Sequence, residues 1–82
     1  MKVTLKPVSG SAEANLERAE HELTRVLGFR GNVTKVRANG SSVIVEFEID
    51  PKWGLSPKEQ VDYLKEWIPA KVRSIFRVTS VS

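Results

Sequence analysis

The chain has no cysteine. Disulfides, zinc–thiolate centres, iron–sulfur clusters and thiol nucleophiles are therefore excluded. Small secreted domains are more often stapled by disulfides, so the absence points to a reducing compartment. No uninterrupted apolar run approaches the ~18 residues of a membrane span. The opening stretch "MKVTLKPVSG" turns polar too soon for a secretory leader. A cytoplasmic chain with no membrane partner is expected. Histidine is nearly absent as well: His21 is the only one. Aromatics are scarce, six in 82 residues, and half of them fall in "WGLSPKEQVDYLKEW", residues 53–67.

The length fits one domain spanning 1–82, near the lower limit for folding alone. Burial by self-association would add stability at this size. Thirteen basic and ten acidic residues give a formal charge of +3. That is mildly basic and does not by itself point to nucleic acid.

Elements can be read from end to end. "KVTLKPV" alternates, with Val3 and Leu5 on one side and Lys2, Thr4 and Lys6 on the other, as in a half-buried strand. Pro7 should end its regular pairing or sit on a free edge. "SGSAEANLERAEHELTRVLGF" repeats apolar residues at Ala12, Leu16, Ala19, Leu23, Val26 and Leu27, the stripe of an amphipathic helix. Ser11 can cap it, and Gly28 can end it in a left-handed conformation. Asn39-Gly40 predicts a type I′ hairpin turn. Closing there pairs Ala38 with Ser41, Val36 with Val43 and Thr34 with Val45. Val43, Val45, Phe47 and Ile49 then face the core, and Ile44, Glu46 and Glu48 face away. "SPKE" at 56–59 is a capped helix start, with Ser56 as cap, Pro57 first and Glu59 completing a capping box. Val61, Leu64 and Ile68 form its apolar stripe, and Pro69 is expected to end it. "KVRSIFRVTSVS" reads as a last strand, with Phe76 and Val78 facing in.

The order β-α-β-β-α-β resembles the ferredoxin-like superfold, and the resemblance covers the whole chain. It implies an α+β domain with a four-stranded antiparallel sheet, spatial order 4-1-3-2, and two helices on one face. It carries no family motif and fixes no activity. It does imply a charge layout. The helix-free face should show Lys2, Lys6, Lys35, Arg37, Arg73 and Arg77 around Glu46 and Glu48. Thr4, Val33, Ile44 and Ile75 should lie between the charges. Helix 1 carries Glu13, Glu17, Glu20 and Glu22 against Arg18 and Arg25.

Little in the chain supports catalysis. His21 falls on the polar side of helix 1, four residues after Glu17, where a solvated side chain is the plainest reading. Glu46, Glu48 and Asp50 share one strand face, but the neighbouring cations would pair with the glutamates and repel a metal. "SGS" at 9–11 lacks any accompanying lysine or Walker pattern and reads as a helix cap. Acylphosphatases share the topology, but their glycine-rich first loop with its arginine is missing here. RNA-recognition motifs also share it and stack bases on aromatics of the first and third strands. Here Thr4, Ser42, Ile44 and Glu46 stand at the outward positions instead.

No catalytic residue, metal or cofactor is therefore expected. The expected function is a small non-catalytic protein-binding or assembly module. Its partner would be another protein or a second copy of itself. Two surfaces could carry the contact. One is the open sheet face, with Lys2, Lys6, Lys35, Arg37, Ile44, Arg73, Ile75 and Arg77. The other is an aromatic patch of Trp53, Tyr63 and Trp67, whose Trp and Tyr are residue types enriched at binding hot spots. The plain alternative for that patch is that Trp53 folds back onto Tyr63 and Trp67 as a satellite of the core. The functional alternative is a nucleic-acid-binding domain that uses the basic open sheet face.

Overall fold

A computed structural model describes residues 1–82. The chain forms β1 (Lys2–Pro7), α1 (Leu16–Leu27), β2 (Gly31–Asn39), β3 (Ser42–Ile49), α2 (Pro57–Val72) and β4 (Phe76–Val81). Single 3-10 turns at Glu13–Asn15, Gly28–Arg30 and Pro51–Trp53 join them. The fold is α+β, with two helices and one four-stranded antiparallel sheet. The strands run β2-β3-β1-β4. Counted from the β4 edge, the same row reads 4-1-3-2.

Alternation builds the core. Val3 and Leu5 of β1 and Val43, Val45 and Phe47 of β3 are buried. They join Ala19, Leu23, Val26 and Leu27 of α1 and Leu64, Ile68 and Val72 of α2 in one cluster. Both helices thus cover the same side of the sheet. Burying each large side chain contributes roughly 1.5–3 kcal/mol.

The hairpin closes differently from the sequence expectation. Asn39 pairs with Ser42, Ala38 with Val43 and Val36 with Val45. The two loop residues are Gly40 and Ser41. Gly40 has φ +61°, and no non-glycine residue has positive φ. A type I′ turn needs positive φ at both loop positions, whereas type II′ needs it only at the first. Glycine at position 40 therefore selects the II′ pattern and moves the register by two. A two-residue shift leaves every side chain on its own face.

Each edge strand carries a bulge. In β2, Val33 pairs with Phe47 but Lys35 with Glu46, leaving Thr34 extra. Val33 therefore packs against the core rather than on the open face. In β4, Leu5 pairs with Val78 and Thr4 with Ser80, leaving Thr79 extra. The Thr79 hydroxyl donates to the Thr4 carbonyl at 3.2 Å and closes the bulge. The extra residue returns Val81 to the buried side beyond Phe76 and Val78. Pro7 stays paired, with Phe76. Its missing N–H points past the end of β3, whose pairing with β1 stops at Leu5–Val43.

Helix ends also depart from expectation. Ser56 Oγ accepts from Glu59 N–H, and Glu59 Oε1 accepts from Ser56 N–H, so the capping box is complete. Pro69 does not end α2; the helix continues to Val72. Pro69 leaves the exposed Lys65 without one backbone bond, and burial of Ile68 and Val72 holds the last turn in place. Residue 73 therefore caps α2 and residue 75 lies in the turn before β4. At the start of α1, Ser11 Oγ accepts from Ala14 N–H, and buried Asn15 donates to the Ser9 and Ser11 carbonyls. Gly28 has φ +56° but ψ −126°, outside the left-handed helical region and open only to glycine.

Candidate functional site

The two surfaces read from the sequence have different fates. On the open sheet face, alternation and register bring together Lys2, Lys6, Lys35, Arg37 and Arg77. Glu46 sits between Lys2 on β1 and Lys35 on β2, and Arg37 Nε lies 3.8 Å from its carboxylate. The Arg37–Glu46 pair is half exposed, so its contribution to stability is about 0–1 kcal/mol.

Two expected members leave that face, and a third is buried on it. Arg73 is on the end of α2, and Ile75 is in the following turn, half-buried against the core. Both were assigned to the sheet by extending β4 back to Lys71, and the longer helix removes them. Ile44 stays on the face but is only 7 % exposed. Thr4 and Arg37 flank it as direct cross-strand neighbours on that face. What remains is a polar, cationic face with five basic residues and two glutamates. The other eight cations and eight carboxylates of the chain balance, so the formal charge of +3 resides here.

The aromatic residues do come together. Trp53 meets Tyr63 edge to face, with centroids 5.2 Å apart and planes at 81°. Tyr63 stacks on Trp67 at 5.6 Å and 27°. All three are half-buried and pack against the core, so Trp53 does fold back onto the helix. Local structure explains the placement. Tyr63 and Trp67 are one turn apart on the flank of α2 that faces α1. Asp50 supplies the frame: its N–H donates to the Arg30 carbonyl at 2.7 Å, and its own carbonyl accepts from Trp53 N–H at 3.0 Å. Its side chain accepts from Lys52 N–H at 2.8 Å.

Sequence reasoning missed the cationic half of this cluster. The Arg30 guanidinium carbon lies 5.1 Å from the Trp67 centroid, 5.8 Å from Tyr63 and 4.8 Å from Phe29. Arg30 Nε is shut off from solvent and has no hydrogen-bond partner. Ring faces occupy that position and supply the electrostatic compensation an acceptor would otherwise give. Lys71 Nζ lies 4.5 Å over Trp67. Neither Arg30 nor Lys71 forms an ion pair. Phe29 is 76 % exposed. The signal for this half was "GFR" at 28–30, an aromatic and a cation directly after a helix-ending glycine.

The other chemical candidates stay apart. His21 is exposed on α1 beside Glu20, Thr24 and Arg25. Asp50 turns away from Glu46 and Glu48 to cap the Pro51–Trp53 turn, and no group of three acidic or histidine side chains converges. No helix is long and apolar enough to cross a membrane. No family model, curated protein or solved structure matches the chain.

Proposed function

We propose that this protein is a small non-catalytic protein-binding module. Its contact surface is the aromatic–cationic flank of Phe29, Arg30, Trp53, Tyr63, Trp67 and Lys71. The element order supports a ferredoxin-like scaffold, on which the helix flank rather than the sheet carries the contact. One observation carries the reading: Phe29 is exposed directly against the Arg30–Trp67 stack. An exposed phenylalanine beside a half-buried, ring-stacked arginine combines two residue types enriched at protein interfaces. The stack fixes Arg30 in advance, so little side-chain entropy is lost when a partner carboxylate meets its outer nitrogens.

Self-association through the open sheet face has less support. A face-to-face contact of two copies would set five cations against five. The second reading, nucleic-acid binding, rests on that same charge layout. Phosphates suit a face that holds the entire formal charge, and such binding would fall steeply with salt.

Site-specific photocrosslinking separates these readings. Benzoylphenylalanine placed at Phe29 is expected to capture protein in the source cell, and the same probe at Thr24 is not. Capture of nucleic acid from a probe at Lys35, with none of protein from Phe29, would overturn the reading.

A further inference from the structure

The free edge of β4 lies on the flank of α2 opposite Tyr63 and Trp67. β4 ends the sheet, so one side of its backbone has no strand partner. Lys2 and Ser82 exchange both backbone bonds, and Val8 N–H donates to the Ile75 carbonyl. Antiparallel bonding alternates, so Arg77 is turned towards β1, while the N–H and C=O groups of Phe76 and Val78 point outward. Beside these groups is a hollow of about 480 Å3 lined by Val8, Pro69, Arg73, Phe76, Arg77 and Val78. Val8 is 65 % exposed, the other large apolar side chain besides Phe29 left in solvent. Arg73 and Arg77 form no ion pair. The continuation of α2 past Pro69 is what brings Arg73 to this edge.

From this we infer that β4 accepts an extended acidic peptide segment of a partner protein as a fifth strand. Main-chain bonds to Phe76 and Val78 supply the pairing. Alternate side chains of an added strand fall on opposite faces. Arg77 alternates with Phe76 and Val78, so one set of partner side chains lies beside Arg77. The other set lies against Val78, Pro69 and Arg73. A sequence alternating carboxylate and β-branched residues satisfies both. The bulge at Thr79 ends regular pairing and limits the added strand to the first half of β4. The opposite edge, β2, offers no equivalent: its bulge is followed by Lys35, a residue type that blunts edge pairing. This site shares no residue with the aromatic flank, so either reading stands or falls without the other.

The probe is the capped peptide Ser-Glu-Val-Glu-Val-Glu-Ser, titrated into the full chain and followed by amide NMR and hydrogen exchange. Shifts and exchange protection are expected at Phe76 and Val78. Arg77→Ala should weaken binding roughly threefold, as for a solvent-exposed ion pair. Val78→Pro removes one outward N–H without touching a bond to β1, and should abolish binding while the β1 and β3 amides keep their shifts. A peptide with lysine in place of glutamate should not bind. Equal binding of the lysine peptide, or binding retained by Val78→Pro, would overturn the proposal. So would protection of these two amides that grows with protein concentration alone, which would make a second copy the occupant. Stronger shifts at the same amides from a single-stranded oligonucleotide would overturn it too.

Discussion

Trp67 Nε1 donates a hydrogen bond to the Val26 carbonyl at 3.2 Å, tying the middle of α2 to the last turn of α1. Val26 is among the final residues of α1, whose carbonyls have no helical partner of their own. One of those acceptors is therefore satisfied from another helix, 41 residues along the chain. Replacing Trp67 by Phe keeps a ring against the core but leaves the carbonyl unpaired. We expect a loss of about 1–2 kcal/mol in urea unfolding. Trp67→Leu also removes the platform under Arg30 and Lys71 and should lose more.

Arg30 and Phe29 should separate stability from binding. Arg30→Lys places a compact ammonium where a planar guanidinium meets three rings. Its unfolding free energy is expected to fall by about 1 kcal/mol. Phe29→Ala should stay within roughly 0.5 kcal/mol of wild type, because the ring lies mostly in solvent. The same variant should lose photocrosslinking from a probe on Lys71. A large stability loss in Phe29→Ala would show that the ring belongs to the fold.

Gly31 begins β2 with extended backbone, so conformational freedom is not what it provides. A Cβ there would collide with the Glu48 carbonyl oxygen across the β2–β3 ladder. Backbone cannot yield as a side-chain tip can. Gly31→Ala is expected to destabilise by about 1–3 kcal/mol. Hydrogen exchange should quicken first at Asp50, whose N–H bonds the neighbouring Arg30 carbonyl.

Glu59 carries a pH signature of the fold. Its hydrogen bonds from the Ser56 hydroxyl and Ser56 N–H hold its pKa below the ordinary 4.5. A carboxylate with a depressed folded pKa stabilises above its unfolded pKa and loses that contribution as pH falls through the folded value. Glu59→Gln should therefore lie below wild type in melting temperature at neutral pH. The difference should begin to shrink near pH 4.5 and vanish at lower pH. A difference that stays constant down to pH 2 would place the effect elsewhere.

Much of the architecture was legible because it rests on local rules. The alternation of Val3 and Leu5 and of Val43, Val45 and Phe47 marked the buried faces. Ser56, Pro57 and Glu59 marked a helix start through side chains that reach only three residues. These signals need no knowledge of distant neighbours. The turn at Gly40 was misjudged because Asn-Gly and Gly-Ser both satisfy hairpin chemistry, and only the backbone chooses between them. Pro69 was misjudged for the opposite reason. Its local penalty is real, but burial of Ile68 and Val72 outweighs it, and local sequence does not report burial.

The candidate surfaces divide along the same line. Tyr63 and Trp67 could be placed on one flank from spacing alone, since residues four apart stack along a helix. That Trp53 meets Tyr63, and that Arg30 lies against Phe29 and Trp67, depended on Asp50 joining two loops 20 residues apart. Likewise, the basic character of the open sheet was fixed by alternating lysines and arginines. The burial of Ile44 between its cross-strand neighbours, and the transfer of Arg73 from that face to the β4 edge through the reach of α2, were not legible there. The sequence by itself determined the periodicities, caps and charges, because these act over one turn or one strand. Tertiary structure alone decided which aromatics meet a cation and which arginine reaches the β4 edge, because those contacts join segments that no local pattern connects.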